Sequence, residues 1–164
     1  MSKIVDSLKG GEIFAIPLFV SDEIDTKSFA REKFLDRGDE FAYCRVIHNA
    51  AGGGIIIEVF SITGGLKIGI QSIIQSERLF RPVAISGLGI GKKRWKKLFE
   101  QFEYDKEIHS SYSKIQLVEG VGDNLRLVQN GKKTPISREE ASKYERWIAW
   151  RASHLEKRIL ETIS

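Results

Sequence analysis

The sequence predicts an α+β protein: an antiparallel β-sheet or small open barrel with a long C-terminal α-helix and a short helical insert. Three observations predict it. Short runs rich in β-branched and aromatic residues dominate positions 11–62. Runs of alternating apolar and polar residues occupy positions 113–130. From Ser137 onward the apolar residues recur at steps of three and four.

The β-rich body is expected over about residues 9–130, within one domain spanning 1–164. Gly10-Gly11 breaks a short lead-in. The runs at 11–20, 41–47 and 55–62 then read as an antiparallel meander, and Asn49-Ala-Ala-Gly-Gly-Gly54 supplies the positive φ of its second turn. A polar insert, 21–40, lies between the first two strands. It holds Ile24, Phe29, Phe34 and Leu35 as apolar anchors, with Gly38 placed to end a short helix. Gly64-Gly65 turns the chain into 66–74, whose spacing fits strand and helix equally. Arg81-Pro-Val-Ala-Ile-Ser86 reads as a strand that begins after its proline.

By periodicity alone, Trp95, Leu98, Phe99 and Phe102 form a helical face. The runs 113–119 and 124–130 read as a hairpin about Gly120-Val-Gly-Asp123, with Asn130-Gly131 as the next turn. Pro135 leads into a capping box, Ser137-Arg-Glu-Glu140, which starts a helix over about 137–163. Its core face is Ala141, Tyr144, Ile148, Ala152, Leu155, Ile159 and Ile163, and Trp147, Trp150 and His154 stand beside that face.

At 164 residues and 41% hydrophobic, the chain is long enough to bury a core. Its net charge of +4 is mild for a dedicated nucleic-acid binder. That charge is unevenly spread. Residues 21–40 carry seven acids and four bases, a net of −3, whereas 77–106 carry eight bases and four acids, a net of +4. The polar start of the chain does not read as a signal peptide, and no apolar run has the length of a transmembrane helix, so a cytoplasmic location is expected. The lone Cys44 excludes an internal disulfide and reads as a small buried hydrophobe.

Chemical motifs are scarce. Gly87-Leu-Gly-Ile-Gly-Lys-Lys lacks the spacing of a phosphate loop or a dinucleotide fingerprint. His48, His109 and His154 are scattered and form no metal-ligand pattern, and there is no Gly-x-Ser-x-Gly elbow. No cofactor, metal or catalytic residue is expected. One cluster has a nucleic-acid reading: Lys92, Lys93, Arg94, Lys96 and Lys97 would hold a backbone while Trp95 stacks on a base. Its alternative is a strand with the tryptophan in the core and the lysines in water.

Five segments in order, Gly-Glu-Ile-Phe-Ala-Ile-Pro-Leu (11–18), Phe-Ala-Tyr-Cys-Arg-Val-Ile (41–47), Ile-Glu-Val-Phe (57–60), Phe-Arg-Pro-Val (80–83) and Arg-Trp-Lys (94–96), resemble the immunity protein 26 family of bacterial polymorphic toxin systems. The resemblance runs from about Lys9 to Phe99 and implies a cytosolic, non-enzymatic, β-rich protein that binds and neutralises a cognate toxin C-terminal domain. It also implies that Trp95 sits in a strand, and the strand is the reading adopted. The long acidic insert departs from the short turn that joins the first two strands in the family pattern. If the toxin is a nuclease, the insert complements a basic active-site rim. The expected contacts are therefore Asp22, Glu23, Asp25, Asp36, Asp39 and Glu40, with Trp150 as an aromatic anchor.

Overall fold

The structure is a computed structural model that describes residues 7–19, 40–50, 53–91 and 94–164. Strands β1 (Glu12–Pro17), β2 (Phe41–Asn49) and β3 (Ile55–Val59) form the expected meander, with Phe14 opposite Cys44 and Val46 opposite Ile57. Strand β4 (Val83–Ile85) pairs with β3, and β5 (Lys96–Glu100) pairs with β1. The resulting antiparallel sheet has the order β4-β3-β2-β1-β5.

This sheet is buried on both faces, which explains why its strands read as apolar runs. Phe14, Ile16, Cys44, Val46, Ile57 and Val59 point to one side, where helices α2 (Leu88–Gly91) and α5 (Ala152–Ile163) supply Ile90, Ala152, Leu155 and Ile159. Ile13, Ala15, Phe41 and Tyr43 point to the other, beneath Ile62, Leu66, Ile68 and helix α1 (Ile70–Ile74) with its buried Ile73. The ambiguous stretch 66–74 thus ends in a short helix.

The segment after Arg94 does not form the helix that its periodicity predicts; the strand implied by the family resemblance begins one residue later than expected, at Lys96, and leaves Trp95 just before it. Residues 96–100 are strand, because β1 offers a free edge that takes up their backbone groups. Trp95, next to that strand, is 2% exposed. Phe102 lies beyond the strand and faces water.

A second sheet has the order β8-β7-β6-β9. Strands β6 (Gln116–Glu119) and β7 (Arg126–Gln129) are the predicted hairpin. Strand β8 (Lys132–Pro135), which the sequence reading passes over, follows the Asn130-Gly131 turn. Ile47 and Ile56 of the first sheet meet Ile115, Leu117, Tyr112 and Trp147 in a shared cluster that joins the two layers.

The single helix expected over 137–163 is corrected by the structure. Helix α4 (Arg138–Ala141) is one turn, capped by Ser137 accepting from the Glu140 N–H. The chain then extends: β9 (Glu145–Arg146) pairs in parallel with β6, the Trp147 N–H donates to Val118 O, and the Trp150 N–H donates to Ala84 O while Ser86 N–H donates to Trp150 O. Residues 145–150 are therefore a strap across both sheets. Edge carbonyls of β6 and β4 capture N–H groups that a helix would have used internally, and helical periodicity yields to that pairing. Ile148, on the strap, consequently leaves the expected core face at 50% exposure, and Ile163, at the end of α5, is 40% exposed.

Candidate functional site: a pinned corner and its surroundings

The turn between β5 and helix α3 (Lys106–Ser110) forms a corner built over a buried ion network. Arg45 and Glu58 face one another across β2 and β3, and both are nearly inaccessible. Arg45 Nε donates to Glu58 Oε2 at 2.9 Å, and Arg78 Nε donates to Glu58 Oε1 at 2.9 Å. Two guanidinium groups thus share one carboxylate, which offsets the desolvation of burying it.

The same groups hold the corner. Arg45 Nη1 donates to the Gln101 side chain at 2.8 Å, and its Nη2 donates to the His109 carbonyl at 3.1 Å. Ser110 Oγ donates to Glu58, and the Tyr104 hydroxyl lies 2.6 Å from Ser110 Oγ. The Arg45 guanidinium also lies over the rings of Phe60 and Tyr104, with centroids 5.3 and 5.2 Å away. Tyr104 in turn packs on Gly10, where an added Cβ would come within 2.8 Å of the ring. Burial pushes the Tyr104 phenol above its ordinary range.

Helix α3 begins at Asp105, whose carboxylate accepts from the N–H groups of Glu107 and Ile108 at 2.9 and 3.0 Å. Those bonds hold its carboxyl below the usual range. Two non-glycine residues bracket the corner in left-handed conformations, Glu103 at φ 55° and Ser111 at φ 52°. On its outside, Phe102 and Ile108 project into solvent.

Of the residues expected to contact a toxin, Asp22, Glu23, Asp25, Asp36 and Asp39 lie outside the described residues. Glu40 is exposed at the start of β2. Trp150 is half-buried in the strap. Its ring packs against the main core cluster and lies under the Arg158 guanidinium, 5.1 Å from the centroid.

Of the described members of the nucleic-acid cluster, Arg94 and Trp95 are buried and Lys96 and Lys97 are exposed. Lys92 and Lys93 lie outside the described residues. Arg94 and Trp95 are each 2% exposed and both donate to Glu156 of α5, so the indole has no face free to stack on a base. Lys96 is exposed. Lys97 pairs with Glu12 at 2.8 Å, and this partner raises its pKa.

Two open clefts, of about 270 and 380 Å³, share Ser142, Tyr144 and Arg146 in their linings. Their arginines already have partners: Arg81 donates to Lys143 O, Arg138 to Gly122 O, Arg146 to Gly120 O, and Arg158 to both Glu145 carboxylate oxygens. Among the described residues no group of three or more His, Cys, Asp or Glu could hold a metal, and no helix is long and apolar enough to cross a membrane.

Sequence reading passed over Arg45, Glu58 and Arg78, because partners 13 and 20 residues apart leave no local signature. A usable signal existed in the charges themselves. Arg45 and Glu58 each interrupt an otherwise apolar strand, and opposite charges inside two consecutive strands point to a cross-strand pair.

The fold and its pinned corner define a small α+β protein built on two sheets, with a buried ion network under one corner of the first. The chain belongs to the immunity protein 26 family, whose model matches residues 9–125. That span takes in the whole first sheet, the insert and the corner, and stops at the edge of β7. No curated protein and no solved structure matches the chain. Membership makes it an immunity protein, which implies a cognate toxin as its counterpart.

Proposed function

We propose that this chain binds a cognate toxin domain in the cytoplasm and neutralises it by occlusion, covering the toxin's active site or substrate channel without catalysis of its own. The match to the immunity protein 26 family over residues 9–125 is the observation that carries this reading. The contact surface proposed is the acidic insert, through Asp22, Glu23, Asp25, Asp36, Asp39 and Glu40. A toxin that cuts nucleic acid needs a basic rim to hold its substrate. An acidic inhibitor segment accelerates encounter with such a rim and occupies the places of the phosphates.

Co-expression with the toxin domain encoded beside this chain tests the reading. A complex that purifies intact, together with rescued growth, is the expected result; absence of both overturns it. Reversing the insert's acids is expected to slow association and flatten its salt dependence. Unchanged kinetics would remove the insert from the interface.

A further inference from the structure

We infer that the corner between β5 and α3 is a second contact surface for the toxin domain, with Phe102 and Ile108 as its apolar seat and a rim of carboxylates around them. This inference rests on the toxin-neutralising reading above.

The first argument is presentation. Phe102 is 86% exposed and Ile108 is 78% exposed. Single exposed apolar residues are common on protein surfaces. These two differ in what holds them. The backbone of residues 101–111 contains two non-glycine positions at positive φ, Glu103 and Ser111, a conformation that costs free energy and persists only where the surroundings over-determine it. The surroundings here are the buried Arg45–Glu58–Arg78 network, which grips Gln101, Ser110 and the His109 carbonyl from inside. The core invests buried charge in fixing a segment whose two apolar tips are exposed. A rigid apolar tip loses little conformational entropy on binding, which favours affinity.

The second argument is charge. Residues 100–107 contain Glu100, Glu103, Asp105 and Glu107 against the single base Lys106, a net of −3; Glu100 is paired with Lys9 and Lys97, which leaves Glu103, Asp105 and Glu107 as the acids of the rim. All four acids are exposed. An apolar centre with a polar rim is the anatomy of a specific protein interface, and this rim fits a basic surface. A second copy of the chain fits poorly, because a two-fold contact through this corner would set one acidic rim against another.

The third argument is position. Pro17 of β1 lies opposite Phe41 of β2, so the insert joins the sheet at that end. Glu12, at the other end of β1, lies opposite Glu100 of β5, and the corner follows directly. The points where the insert leaves and rejoins the sheet are thus at the opposite end of β1 from the corner, and the two sets of acids can be substituted independently.

The test is the affinity of a catalytically disabled form of the adjacent toxin domain for the wild-type chain and for the Phe102→Ser, Ile108→Ser double variant. Both side chains are exposed, so the melting temperature should stay close to wild type. Affinity is expected to weaken about 30-fold or more, mainly through faster dissociation. Wild-type affinity in the folded double variant would overturn the inference. So would a concentration-dependent dimer of the wild-type chain that the variant abolishes while toxin affinity is unchanged, since the patch would then belong to a second copy. If the wild-type chain neither binds the toxin domain nor rescues growth, the toxin reading itself fails, an outcome distinct from failure of the corner.

Discussion

Arg94 and Glu156 form a buried two-point pair that locks α5 onto the first sheet. Arg94 donates to Glu156 through Nε at 2.8 Å and Nη2 at 2.6 Å, and the neighbouring Trp95 Nε1 donates to the same carboxylate at 2.9 Å. The arginine sits just before β5, at the far edge of the sheet from β4, so one carboxylate ties the last helix to the strand that precedes the corner.

Removing one partner should therefore cost more than the pair contributes. Glu156→Ala leaves a buried guanidinium and an indole N–H without their acceptor, and a loss of about 3–5 kcal/mol is expected in chemical denaturation. Replacing Arg94 and Glu156 together by Met and Leu should recover most of that loss. A double variant as unstable as Glu156→Ala would show that the pair is not simply an offset charge.

Cys44 should be inert in the folded protein. It is fully buried in β2 opposite Phe14, and burial raises its thiol pKa far above the ordinary range. A disulfide reagent at neutral pH is expected to label it only at the rate of opening or in denaturant. Rapid stoichiometric labelling of native protein would contradict the structure.

Much of the fold was legible because its signals are local. The meander announces itself in Ile13–Ile16, Phe41–Ile47 and Ile55–Val59, the β6–β7 hairpin in its alternation, and the short α4 in its capping serine. What escaped depends on distant partners. Residues 142–163 carry helical spacing throughout, yet Glu145–Trp150 follow the edges of β6 and β4. Trp95 to Phe102 likewise look helical until β1 offers an edge. The candidate site was less legible still. Lysines and a tryptophan drew attention to 92–97, whereas burial turns Arg94 and Trp95 inward. Phe102 falls on the helical face that its spacing predicts, yet it is exposed. Exposure is set by the end of β5, and no local pattern reports it.

The corner should loosen in acid. The N–H groups of Ile108 and Glu107 hold the Asp105 carboxyl below its ordinary 3.8. Lys9 and Lys97 do the same for Glu100, and Ser113 for Glu107, each below its ordinary 4.5. In all three the folded state binds the proton less tightly than the unfolded chain. Their stabilisation is present above the ordinary values and is lost as pH falls through the lowered folded ones. Amide exchange in α3 is expected to accelerate, relative to the centre of the first sheet, as pH drops from about 4.5 to below about 3.8. Asp105→Asn, which can still cap the helix, should remove part of that dependence.

Gly120 is the position where one methyl group should do most harm. It turns the β6–β7 hairpin at φ 103°, and an added Cβ would lie 1.9 Å from the Asn124 carbonyl oxygen. Alanine there meets both a disfavoured backbone and a collision with another backbone atom, so neither a rotamer change nor a side-chain shift relieves it. Gly122 provides the control. It too has positive φ, at 61°, but an added Cβ meets nothing within 4 Å. Gly122→Ala is expected to cost about 1–2 kcal/mol from the left-handed backbone alone. Gly120→Ala should cost clearly more, and the damage should spread to β9, which pairs with the other edge of β6 and whose Arg146 donates to the Gly120 carbonyl. Denaturation midpoints of the two variants decide the matter. Equal losses would mean that the hairpin re-forms around the added methyl and that the Gly120 turn is not held in the geometry described.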